Sequence, residues 1–421
     1  MNSFLSFRKR AVGAAGALVA LLCAGNTLAQ PVPTLREALD AAWALAASQR
    51  ALPQRTAELD ARVRATEAWA AGPPTVTLAH RTDRLSGNSG LRELEAEVAV
   101  PIWNTRTRSA SRSQIDADRA LLERQRVAAK LKLAGEVREL VAQAALGRTE
   151  QTLATRKLAE ATTLAQDVER RVRAGDVARV DALQAQSVVQ QANAALVQAQ
   201  AAISRVQSQW QALTGLATVA DPASDFAPPN STLTTTLTIT LEALKADHPA
   251  VAAAAAQTQA ARSRLQLVES DRRDPMELSV GSTVSQGVFG ASLETSLRVA
   301  VKIPLGGDIR NGARIAAARA ELDVAEAEGD AVTRQVNADL AVARAEVVAA
   351  RASEEALQAR AKLSAEAQAL YAKSYQLGES DLPTRLRAEN ERFEANLALG
   401  RARIETQRAQ SRLHQSLGWL P

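Results

Sequence analysis

Apolar and polar positions along this chain follow two rhythms. From Thr105 to Ala174 and from Asp308 to Leu377, apolar residues recur at steps of three and four, as in Leu133, Val137, Leu140 and Ala144, then Ala161, Ala165, Val168 and Val172. That spacing predicts two helices of about 70 residues, each with a seam of small side chains, and at ~1.5 Å per residue each is about 105 Å long. Shorter helical stretches, Leu35 to Ala71 and Leu241 to Arg273, precede them. In between, the rhythm changes to alternation over Thr75 to Arg81, Arg92 to Val100, Glu277 to Val284 and Leu293 to Val301. Leu94, Ala96, Val98 and Val100 share one face of the second segment, opposite Glu93, Glu95 and Glu97. In the fourth, Leu293, Leu297, Val299 and Val301 oppose Glu294, Ser296 and Arg298. Polar, glycine-containing loops join these segments into two strand hairpins.

The two rhythms occur twice, in the same order. At an offset of 203 residues Gly175 matches Gly378, Leu183 matches Leu386, Ala185 matches Ala388, Gly215 matches Gly418, and Val98 and Pro101 match Val301 and Pro304. A shared spacing held over more than a hundred residues indicates duplication. The expected organisation is a leader at 1–29, a first repeat at 30–216 with its strand hairpin at 75–101, a linker at 217–240, and a second repeat at 241–421 with its strand hairpin at 277–303. A helix of about 105 Å followed by another of nearly 40 residues would outrun its packing partners, so the chain must turn back. Gly175 and Gly378 are then the tips of two helical hairpins, because glycine tolerates a positive φ. A glycine tolerated inside one continuous helix is the alternative.

Composition narrows the class. Aromatics make up 3% of the 421 residues, which suits closely packed helices rather than a bulky core. Arg8, Lys9 and Arg10 precede an apolar run from Ala11 to Ala24 and a small-residue ending at Ala29, the pattern of a cleaved secretory leader rather than a membrane anchor. The single cysteine, Cys23, lies inside that leader, where bulky Leu22 argues against lipidation. The net charge of +5 includes the three leader cations, so nothing marks a nucleic-acid binder. His80, His248 and His414 fall in separate elements, and no phosphate loop, nucleophile elbow or metalloprotease motif occurs. No enzyme, catalytic residue, cofactor or metal site is expected.

Four amphipathic strands of roughly 9–11 residues match the length of membrane strands, and four cannot close a barrel alone. The expectation is therefore a mainly α chain with a membrane β-barrel contribution: tandem long helical hairpins plus four transmembrane strands, closing as a trimer into a 12-stranded barrel and a helical barrel. A small soluble sheet with one buried face is the alternative.

The leader, the duplication, strand hairpins feeding very long helices, and the tip motif Gly175, Asp181, Leu183, Ala185 resemble the outer-membrane efflux protein family, the TolC-like channels. The resemblance covers nearly all of the chain after the leader. It implies a homotrimeric outer-membrane exit duct of a tripartite pump, with a long periplasmic extension. Its hairpin tips, here Arg173, Gly175, Val177, Leu377, Gly378 and Ser380, would dock onto a periplasmic adaptor that links them to an inner-membrane transporter. The family's acidic gate position falls on Asp181; the second repeat departs from it, with Thr384 and Arg387 at the corresponding places. Glu93, Glu95, Glu97, Glu294 and Arg298 would face the lumen. The modest length resembles the subgroup serving heavy-metal cation efflux of the resistance-nodulation-division type. Drug efflux and type I secretion within the family stay open, as does, from another class, a periplasmic coiled-coil adaptor or structural rod.

Overall fold

The computed structural model describes residues 32–220, 247–305 and 308–421, so the expected leader and most of the expected linker lie outside the described residues. Thr34 and Glu37 form a reciprocal capping box that starts helix α1 (Leu35–Leu45). An extended residue, Ala46 with ψ 136°, ends α1, so the stretch expected as one helix is two, and α2 runs Ala47–Glu67. Arg108 closes the end of α2, donating to the carbonyls of Thr66 at 2.7 Å and Glu67 at 2.9 Å, two groups without a partner inside their own helix.

Strands β1 (Thr75–Thr82) and β2 (Arg92–Ile102) lead into helix α3 (Thr105–Ala174), which Asn104 starts by accepting the Arg106 N–H at 3.0 Å. After the first tip comes α4 (Arg179–Thr214). The second repeat supplies α5 (Pro249–Ser270), β3 (Met276–Gln286), β4 (Glu294–Lys302), α6 (Asp308–Gln376) and α7 (Leu382–Ser416).

Each long helix is lined by two shorter ones laid end to end. Alongside α3, Leu59 of α2 packs on Ile115 and Leu122, whereas Val206 and Trp210 of α4 pack on Val137 and Val141 together with Leu35 of α1. Alongside α6, α5 lies against one part, with Thr258 donating to the Ala325 carbonyl at 3.1 Å, and α7 lies against the rest. Antiparallel Glu–Arg pairs join the repeats where α3 meets α7: Glu139 with Arg408, Glu150 with Arg401, and Glu160 with Arg392. The helices therefore pack in the order α4, α3, α7, α6. Close approach depends on small residues; a Cβ on Gly400 would sit 2.8 Å from Thr149 Cγ2.

The strands correct the fold class expected from the sequence. Among the described residues they form one open antiparallel sheet, ordered β1-β2-β3-β4, with neither a twelve-stranded barrel nor membrane-spanning closure. Pairing of β2 with β3 over the full run from Arg92↔Gln286 to Ile102↔Met276 explains the difference. The duplicated hairpins satisfy each other's inner edges, leaving unpaired backbone only along β1 and β4, which are exposed throughout. The structure is mainly helical with a small sheet at one end.

Candidate functional site

Two regions gather the chemistry: the paired hairpin tips and the polar face of the sheet. At the first tip Gly175 takes φ 83°, and its N–H and that of Asp176 return to the carbonyls of Val172 (3.0 Å) and Arg171 (2.9 Å). At the second, Gly378 takes φ 81°, with the N–H groups of Gly378 and Glu379 returning to Tyr375 (3.2 Å) and Ser374 (3.0 Å). These are left-handed helix endings that an L side chain disfavours. Arg173, Gly175, Leu377 and Gly378 are exposed, whereas Val177 is half-buried against the tip core and the Ser380 hydroxyl is buried.

The returning helices start differently. Asp181 lies in the first turn of α4, which has no side-chain cap at Ala178. In the second repeat the acid sits at the cap itself: Asp381 accepts the Thr384 N–H at 3.0 Å. Hydrogen bonds from the Thr384 side chain and then its backbone hold the Asp381 carboxyl below the usual aspartate value. Each repeat thus carries one carboxylate in this turn, favourably placed at a helix N-terminus, three residues apart in register. Thr384 serves the cap, and Arg387 is exposed beside it. Sequence reading missed Asp381, although an aspartate just before Leu382-Pro383 is a helix-start signal.

It also missed Tyr375. This ring, 5% exposed, has the guanidinium groups of Arg171, 5.1 Å away, and Arg385, 5.0 Å away, over it, and among the described residues its buried hydroxyl has no hydrogen-bond partner. Leu164, Val168, Ala185 and Leu382 surround it, so both hairpins meet at their tips around one aromatic. The ring face attracts both cations.

At the other end, the register places Glu93, Glu95, Glu97, Glu294 and Arg298 on one face. That face is the more covered: Ser279 and Thr283 are buried on it. Arg298 binds Glu95 at 2.8 Å, Arg81 meets Glu93 at 3.8 Å, and Lys302 meets Glu277 at 3.2 Å. Among the described residues no cation pairs with Glu97 or Glu294, leaving an excess of negative charge. The opposite face is apolar and open, with a row of four valines, Val76, Val98, Val280 and Val299, across the sheet and Leu78 and Leu297 74% and 75% exposed. Among the described residues no group of three histidine, cysteine or carboxylate side chains is placed to hold a metal ion.

Residues 240–419 match the family model "Outer membrane efflux protein". No curated protein sequence matches the chain. Among solved structures, the chain is similar to the outer membrane protein VceC of Vibrio cholerae, at 17% identity and TM-score 0.69 over 91% of this chain and 96% of that one. It is likewise similar to CusC, at 17% identity and TM-score 0.71 over 91% and 92%, and to the MtrE outer membrane channel of Neisseria gonorrhoeae, at 16% identity and TM-score 0.67 over 92% and 89%. At these identities the structures speak for the fold. The efflux-protein model covers the second repeat alone, and the fold shared with these outer-membrane proteins extends over about nine-tenths of the chain.

Proposed function

We propose that this protein is the homotrimeric exit duct of a tripartite efflux system, with its sheet end at the outer membrane and its helical rod in the periplasm. The observation that carries this reading is the pair of exposed hairpin tips, both turned by a left-handed glycine and packed around Tyr375 at one end of the rod. They form a single docking end for a periplasmic adaptor, which links the duct to an inner-membrane transporter. Asp181 from each copy contributes a carboxylate to a ring that narrows the entrance.

Trimer formation is supported by the outermost helices. Along α6 and just past its end, Val342, Leu363, Leu370 and Leu377 fall on one seven-residue repeat and are all exposed, with Ala349 and Ala356 between them. On α4, Leu183 and Val197 are exposed at a spacing of two heptads. Because α4 and α6 lie at opposite ends of the packing order, their unpartnered seams fit a head-to-tail contact that closes as a ring.

For cargo, the uncompensated Glu97 and Glu294 favour cations, so we assign the duct to a heavy-metal efflux pump of the resistance-nodulation-division type. The test is a deletion strain challenged with zinc, cobalt, nickel, copper and common drugs, with the chain cross-linked in outer-membrane fractions. Sensitivity to metals with a trimeric species supports the assignment; sensitivity to drugs alone replaces the cargo, and a soluble monomer without phenotype removes the duct.

A further inference from the structure

A cleft of about 830 Å³ lies between the first turns of α3 and the last turns of α5, at the foot of the sheet. Asn104, Arg106, Ser109, Gln266, Arg272 and Arg273 line it, and Thr107 ties its walls together by donating to the Ser270 carbonyl at 3.0 Å. Among its described lining residues the one carboxylate, Glu269, is already engaged by Arg319 of α6 at 3.1 Å. Neighbouring Asp271 is engaged by Arg314, also at 3.1 Å. Arg106 and Arg273 are exposed, and among the described residues neither has a carboxylate within salt-bridge distance. The cleft therefore holds an excess of positive charge.

Its position decides what that charge is for. Arg106 follows the last residue of β2, Ile102, by four residues, and Arg273 precedes the first residue of β3, Met276, by three. Ile102 and Met276 are directly paired, and both are exposed. They form the lowest rung of the apolar sheet face, next to Val100 paired with Leu278. Cationic forks and an open apolar surface thus adjoin within one turn of chain.

We propose that this cleft binds the phosphodiester headgroup of a phospholipid, with Arg106 and Arg273 on the phosphate and the acyl chains against the rungs Ile102–Met276 and Val100–Leu278. Guanidinium matches phosphate in a two-pronged geometry that an ammonium cannot reproduce. A free phosphate would use the arginines but gain nothing from the rungs. The inference rests on placing the sheet end at the outer membrane.

The full chain, purified in dodecyl maltoside, is titrated calorimetrically with dihexanoyl-phosphatidylglycerol, glycerol 3-phosphate and dihexanoylglycerol. The expected result is preferential binding of phosphatidylglycerol, weakened at least about tenfold in the Arg106→Gln/Arg273→Gln variant. Unchanged circular dichroism of that variant establishes that the arginines, not the fold, were removed. Equal binding of glycerol 3-phosphate would reassign the cleft to free anions. Equal binding of dihexanoylglycerol, an unaltered affinity in the variant, or no binding at all would overturn the proposal. Fractionation of the same cells separates the two claims: a chain absent from the outer membrane defeats the functional reading. An outer-membrane chain whose lipid affinity ignores both arginines defeats this inference alone.

Discussion

Glu139 of α3 accepts two hydrogen bonds from Arg408 of α7, at 2.9 Å from Nε and 2.5 Å from Nη2, across 269 residues of sequence. Burial alone would raise the Glu139 pKa, but hydrogen bonds from Gln143 and Arg408 outweigh it and hold the carboxylate below its ordinary value of 4.5. A depressed carboxylate stabilises the fold above the unfolded value, and that contribution is lost as pH falls through the folded one. Because both side chains are partly exposed, Arg408→Ala is expected to cost only about 1 kcal/mol. Urea midpoints should differ between wild type and variant at pH 7 and converge once pH drops well below 4.5.

A Cβ added to Gly175 or Gly378 would find nothing within 4 Å, so substitution meets no steric neighbour and acts on backbone conformation alone. Valine at either position is expected to cost about 1–2 kcal/mol locally. Efflux should fall while the amount of cross-linked trimer in the outer membrane stays constant. Normal resistance in both variants would refute the docking role proposed for the tips.

Gly400 makes the opposite case. A Cβ there lies 2.8 Å from Thr149 Cγ2, so Gly400→Ala must push α7 from α3, at a cost of about 1–3 kcal/mol. Thr149→Ser removes the offending methyl and keeps a hydroxyl for the bond to the Ala145 carbonyl. Denaturation of the double variant should recover most of the loss; simple additivity would show that crowding is not the cause.

The entrance role proposed for Asp181 is tested by Asp181→Ala, for which single-channel conductance in planar bilayers should rise. Asp381→Ala should instead loosen the second tip, because its carboxylate caps α7 through Thr384. Limited proteolysis should then cut near residues 378–384 faster than in wild type. An equal conductance rise in both variants would merge the two roles.

His248 starts α5 by accepting the Ala250 N–H on Nδ1 at 3.2 Å, which requires that nitrogen to be unprotonated. Burial pushes its pKa below the ordinary 6.5, against a smaller opposing pull from Asp339. The unfolded chain therefore takes up the proton first, and stability should decline as pH falls below about 6.5. His248→Asn, which keeps a capping acceptor without titrating, should flatten urea midpoints between pH 7.5 and 5.5.

Local periodicity carried much of the secondary structure. An unbroken apolar seam that stops at a glycine fixes the run Thr105–Ala174, and strict alternation marks all four strands to within two residues at either end. The break at Ala46 left no such trace, since alanine is at home in a helix and only packing of α1 on α3 turns the chain there. Tyr375 was invisible as a site because one of its two arginines, Arg171, lies in the other repeat.

What the sequence determined by itself was most of the elements, because helix and strand periods and left-handed turns are properties of neighbouring residues. Which elements meet was decided by tertiary structure: β2 on β3, Glu139 on Arg408, and one ring where two tips meet. Such contacts depend on side chains brought together across about two hundred residues or more, where geometry and burial choose the partner and no local pattern records the choice.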